Sequence, residues 1–456
     1  MESIGGQRVG ETQSIWQVVV ASFIGTTIEW YDFFLYGTAA ALIFGRLFFP
    51  YADPLLGTLA AFGTYGVGFV ARPLGGLVFG HFGDRIGRKT MLVISLLMMG
   101  LATFLIGLVP TYESIGIWAA VLLVVLRLIQ GFGVGGEWGG AVLLAVEHAP
   151  RGRRGFFGSW AQMGVPMGLL LSTVVFDLFV ARLPEEQFLS WGWRAPFLVS
   201  IVLVAVGLFV RLKIMETPAF RQVQETHTEA RMPIVDVVRQ HPKNVLLAMG
   251  MRMAENGIFY VLTVFVLTYI TQQLGLPRST ALTGVIIAAI ISLFSTPAFG
   301  ILSDRLGRRR VYLFGAVFSL LFSFPFFWLL DTKTSVVIWL AVVVGLVLGH
   351  DPMYGPQAAY FSELFGTRLR YSGASIGYQL ASVLAGALSP IIATSLLAWA
   401  DHFWPVAAYT AVLSLITVVS TYLASETFQE DITKESSPKS DRPSLARNDE
   451  VEPEHP

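Results

Sequence analysis

The sequence of 456 residues contains no cysteine, which excludes disulfides, thiolate metal sites and cysteine nucleophiles. Charge is scarce as well, because Asp, Glu, Lys and Arg make up only 14% of the chain and their formal charges cancel. A soluble globular domain carries about 25% charged residues. This chain therefore has too little charge to cover a soluble surface, and its neutral balance gives no indication of nucleic acid as a partner.

Apolar residues make up 54% of the chain, and the mean hydropathy is +0.63. A helix that crosses a membrane needs about 20 mostly apolar residues, and twelve such stretches lie between residues 18 and 424. They predict an all-α membrane protein. The predicted divisions are an N-terminal segment at 1–17, a six-helix lobe at 18–212, a central loop at 213–243, a second six-helix lobe at 244–424 and a disordered tail at 425–456.

A charged, glycine-bearing motif occurs twice and indicates two similar halves. Residues 80–89 read GHFGDRIGRK, and residues 300–309 read GILSDRLGRR. Self-similarity on this scale indicates a repeated architecture, so we expect Asp84 and Asp304 to be related by a pseudo-two-fold axis along the membrane normal. The alternative is that both segments are ordinary basic loops, but this does not account for the matching Asp and Gly positions.

The distribution of Lys and Arg predicts the orientation, since these residues concentrate in cytoplasmic loops. They cluster after the even-numbered predicted helices, which places both termini and the central loop in the cytoplasm of a multi-pass inner (plasma) membrane protein. Acidic residues near the same loops predict ion pairs that gate the cytoplasmic side by biasing a two-state equilibrium. The expected gate residues are Asp84, Arg85, Arg88, Glu147 and Arg154 in the first half and Asp304, Arg305, Glu363 and Arg370 in the second.

Several local strings carry a family resemblance. They are TIEWYDFF at 27–34, FVARPLGG at 69–76, the motif at 80–89, RLIQGFGVGGEWGG at 127–140 and SWGWRAPF at 190–197. Together they resemble the metabolite:proton symporter branch of the major facilitator superfamily, and the resemblance covers nearly all of residues 18–424.

This resemblance implies the major facilitator fold, in which twelve transmembrane helices form two six-helix lobes that function as a monomer without a cofactor or a metal. It also implies a proton-coupled secondary active transporter, not an enzyme, that imports a small organic acid by alternating access. The leading expectation for the substrate is a shikimate-like acid or another carboxylate. The alternative is a zwitterionic osmolyte such as proline or betaine, although the tail lacks the apolar heptads of osmosensing members.

Charged residues inside membrane helices are costly and frequently functional. Glu29 and Asp32 are three positions apart in the first predicted helix and therefore lie toward one side of it, whereas Arg127 lies in the fourth. We expect one of the two carboxylates to pair with Arg127, and the resemblance to sugar–proton symporters implies this role for Asp32. Moving the arginine away would then favour proton uptake by the buried carboxylate. The alternative is an ion pair with a purely structural role.

His350 and Asp351 form a second candidate pair for proton coupling, in the tenth predicted helix. Arg252 and Glu255 are expected to form a structural pair near the cytoplasmic end of the seventh. Other polar side chains are suited to a substrate's hydroxyl and carboxylate groups, although each could instead join two helices. The candidates for substrate binding are Arg127, Gln130, Glu137, Gln162, Asn256, Tyr260, Tyr354, Gln357, Tyr378 and Gln379.

Other classes of function fit less well. The string GFGVGG at 131–136 matches a dinucleotide-binding fingerprint, but it lies in an apolar helix, where glycines let helices pack closely. An enzyme would need a nucleophile or a metal set beside His350 and Asp351. A channel would need polar groups that ring a filter, whereas here they are scattered over both halves.

Overall fold

The computed structural model describes residues 15–50, 53–86, 88–135, 142, 145–146, 149–150, 152–213, 239, 242–365 and 377–428. Within these ranges, the side chains at 17–18, 77, 80–89, 92, 211 and 213 lie outside the description. The described residues are helical apart from short connections, and they contain no β-strand. The prediction of an all-α protein is therefore confirmed.

Six long helices form the first half of the chain. The first of them begins at Ile15, shortly before the predicted boundary at 18, and continues through a π-helical turn at Ala40–Phe44 and a last turn at Gly45–Phe48. Short helices at Tyr112–Ile115 and Glu185–Gln187 and a π-helical turn at Phe188–Gly192 lie between the long ones. The long helices are α1 at Ile15–Ala39, α2 at Pro54–Ile86, α3 at Arg88–Leu108, α4 at Ile117–Val134, α5 at Arg154–Arg182 and α6 at Arg194–Lys213.

Six more long helices form the second half. They are α7 at Pro242–Gln273, α8 at Arg278–Leu306, α9 at Arg308–Leu330, α10 at Ser335–Glu363, α11 at Gly377–Ala400 and α12 at Trp404–Leu423. Three of them contain π-helical turns, at Val261–Phe265 and Tyr269–Gln273 in α7, Gly345–His350 in α10 and Ser382–Ala387 in α11. Such turns are frequent at functional sites.

Most of these helices can cross a membrane. Among the described residues, nine helices are long and apolar enough by themselves, and α6 becomes a tenth when it is joined to Glu185–Gly192, to which it is bent by 45°. Of the other two, α1 carries Glu29 and Asp32, and the apolar part of α3 is shorter, at Val93–Leu108. Large apolar side chains cover the outer surface, as lipid-facing helices require, so the chain is a multi-pass membrane protein.

Glycines let α2 and α4 pack with their backbones in contact. A Cβ atom at Gly131 would overlap the carbonyl group of Gly68, and one at Gly135 would overlap that of Arg72. The described part of the GFGVGG string is therefore a helix-packing surface, as its position in an apolar helix predicts, and not a dinucleotide-binding loop.

The two lobes meet along two sets of helices. α5 packs on α8 and α10, and α2 packs on α11. Gly155 of α5 lies against Gly300 of α8, and Gly66 of α2 lies against Ala387 of α11. Small residues at these positions let helices of different lobes approach closely, and the candidate functional residues lie along the same interface.

The beginning of the predicted tail contacts the start of α9. Glu426 accepts hydrogen bonds from the backbone N–H groups of Arg308 (2.8 Å) and Arg309 (3.1 Å). The first N–H groups of a helix have no partner within it, and α9 begins at Arg308, so Glu426 caps this helix. Residues 425–428, at the start of the predicted tail, thus contact the second lobe, while 429–456 lie outside the described residues.

Candidate functional site

Arg127 is fully buried in α4. Its Nη1 donates a hydrogen bond to Gln130, and its Nε donates one of 3.4 Å to the backbone carbonyl of Tyr65. Its guanidinium carbon lies 4.1 Å from the centre of the Phe33 ring and 4.4 Å from that of Tyr36. No described carboxylate lies within 4.0 Å of Arg127, so aromatic faces and neutral acceptors surround its charge.

Asp32 lies near Arg127 without forming an ion pair. Both carboxylate oxygens are buried and have no hydrogen-bond partner among the described residues. The charge of Arg127 is within electrostatic reach of Asp32, and the nearby Thr103 hydroxyl accepts a 2.8 Å hydrogen bond from Gln130. A direct Asp32–Arg127 pair is therefore absent from this conformation, although Arg127 Nη2 is also buried without a hydrogen-bond partner among the described residues.

A second buried arginine, Arg72 of α2, was not among the candidates. Its guanidinium carbon lies 4.1 Å from the ring centre of Phe33, 4.6 Å from that of Phe69 and 5.3 Å from that of Trp30. Its Nε and Nη2 have no hydrogen-bond partner in the described part of the chain. The signal that could have found Arg72 was its position inside an apolar helix, away from any loop.

A buried polar network occupies the second lobe. Arg252 of α7 forms an ion pair of 3.2 Å with Glu255 and donates a 2.9 Å hydrogen bond to Gln357 of α10. Gln357 donates to Glu255 (2.9 Å) and to the hydroxyl of Tyr312 (3.2 Å). The guanidinium carbon of Arg252 lies 3.2 Å from the centre of the Tyr378 ring. The expected Arg252–Glu255 pair is present, and it joins four helices of the lobe rather than standing alone.

His350 and Asp351 extend this network. His350 places Nε2 at 3.4 Å from Glu255 and Nδ1 at 3.0 Å from Asp351, and Asp351 also accepts a hydrogen bond from Ser295 of α8. The imidazole packs on Tyr354, with 4.9 Å between the ring centres. Because both ring nitrogens face carboxylates, the site suits an imidazolium that donates from both. It can therefore hold a proton between two acids.

Two glutamine candidates connect the lobes. Gln162 of α5 donates a 3.3 Å hydrogen bond to the backbone carbonyl of Tyr354 in α10, and Gln379 of α11 donates one of 3.2 Å to that of Gly135, directly after α4. Glu29 of α1 is buried, within electrostatic reach of Tyr378 in α11. These side chains lie where α1, α4 and α5 face α10 and α11.

Asn256 and Tyr260 lie at the same interface. The Nδ2 of Asn256 is buried without a hydrogen-bond partner among the described residues, and the ring centre of Tyr260 lies 5.3 Å from that of Phe69 in the first lobe. A Cβ atom at Gly386 would lie 2.8 Å from Asn256 Nδ2, 2.8 Å from the Phe69 ring and 3.0 Å from the Tyr260 ring. Gly386 therefore leaves room for these side chains between the lobes.

An ionic cluster closes one end of the interface. Asp304, near the end of α8, accepts hydrogen bonds from backbone N–H groups at the start of α5, including one of 2.9 Å from Gly155. Arg308 pairs with Asp304 (2.7 Å) and with Glu363 (3.3 Å). Arg154 of the first lobe lies 3.7 Å from Glu363. The structure thus brings together three of the expected gate residues: Asp304, Glu363 and Arg154.

The second motif contributes Arg308 to this cluster instead of Arg305. Arg305 is exposed and forms no ion pair with any described residue. It directly follows Asp304 and so points to another side of α8, whereas the chain turns at Gly307 (φ +103°) and brings Arg308 back to Asp304. The other expected site residues lie outside the described side chains; they are Asp84, Arg85, Arg88, Glu137, Glu147 and Arg370.

The opposite end of the interface is also closed, by fewer and more exposed contacts. Gln272 of α7 donates a 3.0 Å hydrogen bond to the hydroxyl of Thr58 in α2. Arg278 of α8 lies 3.6 Å from Glu185, whose side chain is 62% exposed. Exposed ion pairs contribute about 1 kcal/mol or less, so this end is held more weakly than the buried cluster.

A small apolar pocket of about 20 Å³ lies within the second lobe, away from these polar groups. Its lining, which includes Ile258, Leu262, Phe318 and Phe322, contains no charged side chain. It offers nothing to bind a carboxylate, so we do not include it in the candidate site.

Comparisons with known proteins agree with this geometry. Residues 22–390 match the family model of the Major Facilitator Superfamily. The chain is 46% identical to the shikimate transporter of Escherichia coli (strain K12) over 89% of this chain and 94% of that protein. It is 34% identical to a glycine betaine/proline/ectoine/pipecolic acid transporter of Dickeya dadantii (strain 3937), over 96% and 88% of the two chains. The similarity thus extends across both lobes.

Solved structures give the same fold. The xylose transporter XylE from E. coli, in a partially occluded inward-open conformation, superposes with a TM-score of 0.71 over 91% of this chain and 99% of that one, at 17% identity. At this identity the likeness concerns the fold alone. It confirms the prediction of twelve transmembrane helices in two six-helix lobes.

Proposed function

This chain belongs to the major facilitator superfamily, and we propose that it imports a small organic acid together with a proton by alternating access. It is a transporter and not an enzyme. The proposed substrate is a shikimate-like acid or another carboxylate, which is consistent with the 46% identity to the E. coli shikimate transporter.

Two buried arginines of the first lobe that form no ion pair with a described residue carry this proposal. Arg72 and Arg127 are buried, and no described carboxylate lies within 4.0 Å of either one. Arg252 and Arg308 of the second lobe, by contrast, are paired with acids. A buried charge without a counter-ion is costly, so the first lobe is suited to a substrate that brings a negative charge.

We propose Asp32 as the proton carrier. Its carboxylate is buried without a hydrogen bond, and Arg127 is within electrostatic reach. A proton on Asp32 removes the negative charge that balances Arg127, which favours entry of a substrate carboxylate. Release of the substrate reverses this balance and favours loss of the proton. Glu29, His350 and Asp351 are the alternative carriers.

The ionic cluster of Asp304, Arg308, Glu363 and Arg154 is proposed as the cytoplasmic gate. Opening this side separates Asp304 from α5 and Glu363 from Arg154, and closing it restores both contacts. We further propose that both termini and the central loop lie on this cytoplasmic side of the inner membrane, and that the protein functions as a monomer.

A proton symporter of a zwitterionic osmolyte such as proline or betaine is the second candidate. The 34% identity to the D. dadantii betaine and proline transporter favours it. Such osmolytes also carry a carboxylate, so the buried arginines suit them too. What differs is the cationic group, for which the described site offers the carboxylates of Glu29 and Asp32.

Uptake into liposomes that contain the purified full-length chain tests both candidates. Labelled shikimate, α-ketoglutarate, citrate, proline and glycine betaine are compared under an inward proton gradient, with and without an uncoupler. We expect uphill uptake of an organic acid that the uncoupler abolishes. Uptake restricted to proline or betaine would support the second candidate, and uphill uptake that resists the uncoupler would reject proton coupling.

A further inference from the structure

Arg72 is a buried cation without a partner of its own. It is 2% exposed, and no described carboxylate lies within 4.0 Å of it. Its Nε and Nη2 make no hydrogen bond within the described residues. Unsatisfied buried donors are rare and destabilising, so this guanidinium is better explained by a ligand that supplies acceptors than by the stability of the lobe.

Three aromatic rings hold the guanidinium in place. Its carbon atom lies 4.1 Å from the ring centre of Phe33, 4.6 Å from that of Phe69 and 5.3 Å from that of Trp30. Cation–π contacts stabilise and orient the charge. The aromatic faces leave the N–H groups without acceptors, so the side chain remains available for a carboxylate, which a guanidinium binds through two parallel hydrogen bonds.

Arg72 faces the other lobe. Its charge acts on the phenols of Tyr260 and Tyr378, which belong to α7 and α11. The Phe69 ring contacts Arg72 and also lies 5.3 Å from the Tyr260 ring. Beside Tyr260, the buried Nδ2 of Asn256 is a second donor without a partner in the described chain. Donors from both lobes therefore converge on one region, and a ligand there must be rich in acceptors.

Arg127 is engaged differently. Its Nη1 donates to Gln130 and its Nε to the Tyr65 carbonyl, so only Nη2 lacks a partner among the described residues, and Asp32 is the acid within its electrostatic reach. The two buried arginines thus have distinct surroundings, although both contact Phe33. Arg127 is placed to sense the charge of Asp32, whereas Arg72 has no acid of its own.

We propose that Arg72 binds the carboxylate of the substrate, that Asn256 donates a hydrogen bond to an acceptor elsewhere on the same molecule, and that Arg127 serves the proton site. This assignment rests on the proposed function, because it presumes that an acid is carried. It divides two tasks between the arginines: Arg72 recognises the anionic group, and Arg127 links that group to the proton on Asp32.

Competition between an acid and its neutral ester tests the assignment. The probes are shikimate with its methyl ester and glycine betaine with its methyl ester, each measured by displacement of the labelled acid from the purified full-length protein. The wild type should prefer the acid over the ester for the pair that it binds. In Arg72→Gln this preference should fall by about 10- to 100-fold, the range expected for loss of a charged hydrogen bond, and Arg72→Lys should restore part of it.

Two matched variants separate recognition from folding. Arg194→Gln also removes an arginine that packs on an aromatic ring, with 4.5 Å from its guanidinium carbon to the Trp193 ring centre, but its Nη1 donates to the backbone carbonyls of Gly107 and Val109. It should leave the acid-to-ester ratio unchanged even if it lowers thermal stability. Arg127→Gln should abolish uphill transport but keep most of the preference for the acid.

The outcomes are distinct. An acid-to-ester ratio that is unchanged in Arg72→Gln overturns the assignment, and a ratio that collapses only in Arg127→Gln transfers the carboxylate to Arg127. Loss of the preference in Arg72→Gln with the ratio of Arg194→Gln intact supports the assignment. A wild type that carries shikimate without proton coupling contradicts the proposed function but leaves this test readable. If the wild type binds neither acid, both proposals fail.

Discussion

The carboxylate of Asp304 in the second lobe accepts a hydrogen bond of 2.9 Å from the backbone N–H of Gly155 in the first lobe. Gly155 lies in the first turn of α5, where N–H groups have no partner within the helix and a negative charge is favourable. The contact can exist only while the lobes are together at this end. A single side chain of α8 therefore depends on the conformation of the whole molecule.

Asp304→Asn should favour opening at this end, because the amide keeps the shape but loses the charged hydrogen bonds. A charged hydrogen bond contributes about 1.5–3 kcal/mol, so the open fraction should rise about tenfold or more. The chain lacks cysteine, and Ser159→Cys places one thiol at a buried position against Gly300. The rate of labelling of this thiol measures opening. The control is Asp401→Asn, at an exposed side chain, in the same Ser159→Cys background. Equal labelling rates in the Asp304→Asn and Asp401→Asn variants would exclude Asp304 from the gate.

Arg308→Gln should destabilise the protein far more than Arg305→Gln. Arg308 is buried and paired with Asp304 and Glu363, and its loss leaves Asp304 without a cation and Glu363 with Arg154 alone, at a cost of about 3–5 kcal/mol. Arg305 is exposed, and such substitutions change stability by about 0.5 kcal/mol or less. Thermal unfolding followed by tryptophan fluorescence compares the two variants. Similar melting temperatures would contradict the buried cluster.

Asp32→Asn should abolish uphill accumulation but leave exchange of substrate between two filled compartments measurable. The amide cannot carry a proton, so the proton gradient no longer drives uptake of the acid. Uptake and exchange in the same liposomes provide the readout. Glu29→Gln and His350→Ala are the comparison variants, and persistent uncoupler-sensitive accumulation in Asp32→Asn would assign the proton to another carboxylate, with Glu29 the next candidate.

Glu255→Gln should lower thermal stability because it leaves two buried partners, Arg252 and His350, without their common acid. Breaking a buried pair from one side costs about 3–5 kcal/mol. The double variant Arg252→Gln/Glu255→Gln should cost less than the two single variants together, since it removes both charges. Glu185→Gln, at a pair whose glutamate is 62% exposed, is the control. Additive effects in the double variant would show that the two side chains are independent.

Gly386→Ala should slow transport strongly while the protein still folds. The added methyl group would lie 2.8 Å from both Asn256 Nδ2 and the Phe69 ring, so the lobes cannot close fully without moving these side chains. Gly63→Ala is the matched control, since a Cβ atom there meets nothing within 4 Å. Counterflow rates at saturating substrate compare the variants. Equal rates for both would mean that closure does not depend on the space at Gly386.

The sequence by itself determined the class of the protein and much of its organisation. Long apolar stretches predict membrane helices because unpaired backbone groups are too costly in lipid for other structures. The repeated motif placed Asp304 at a helix end, and the acidic residue after the tenth helix placed Glu363 near basic loops; the structure brings both together with Arg154. These features were predictable because each depends on residues close together in the chain.

Only the tertiary structure decided which buried charges have partners. Arg72 and Arg127 look alike as isolated arginines in apolar helices, yet one lies among three aromatic rings without an acceptor and the other donates to Gln130. Likewise Arg252 reaches Gln357, which is 105 positions away in the chain. Helical periodicity fixes which side chains share a face, but the face of the partner helix is set by packing between segments distant in sequence. The balance of charge in the site therefore emerges only when the two lobes are assembled.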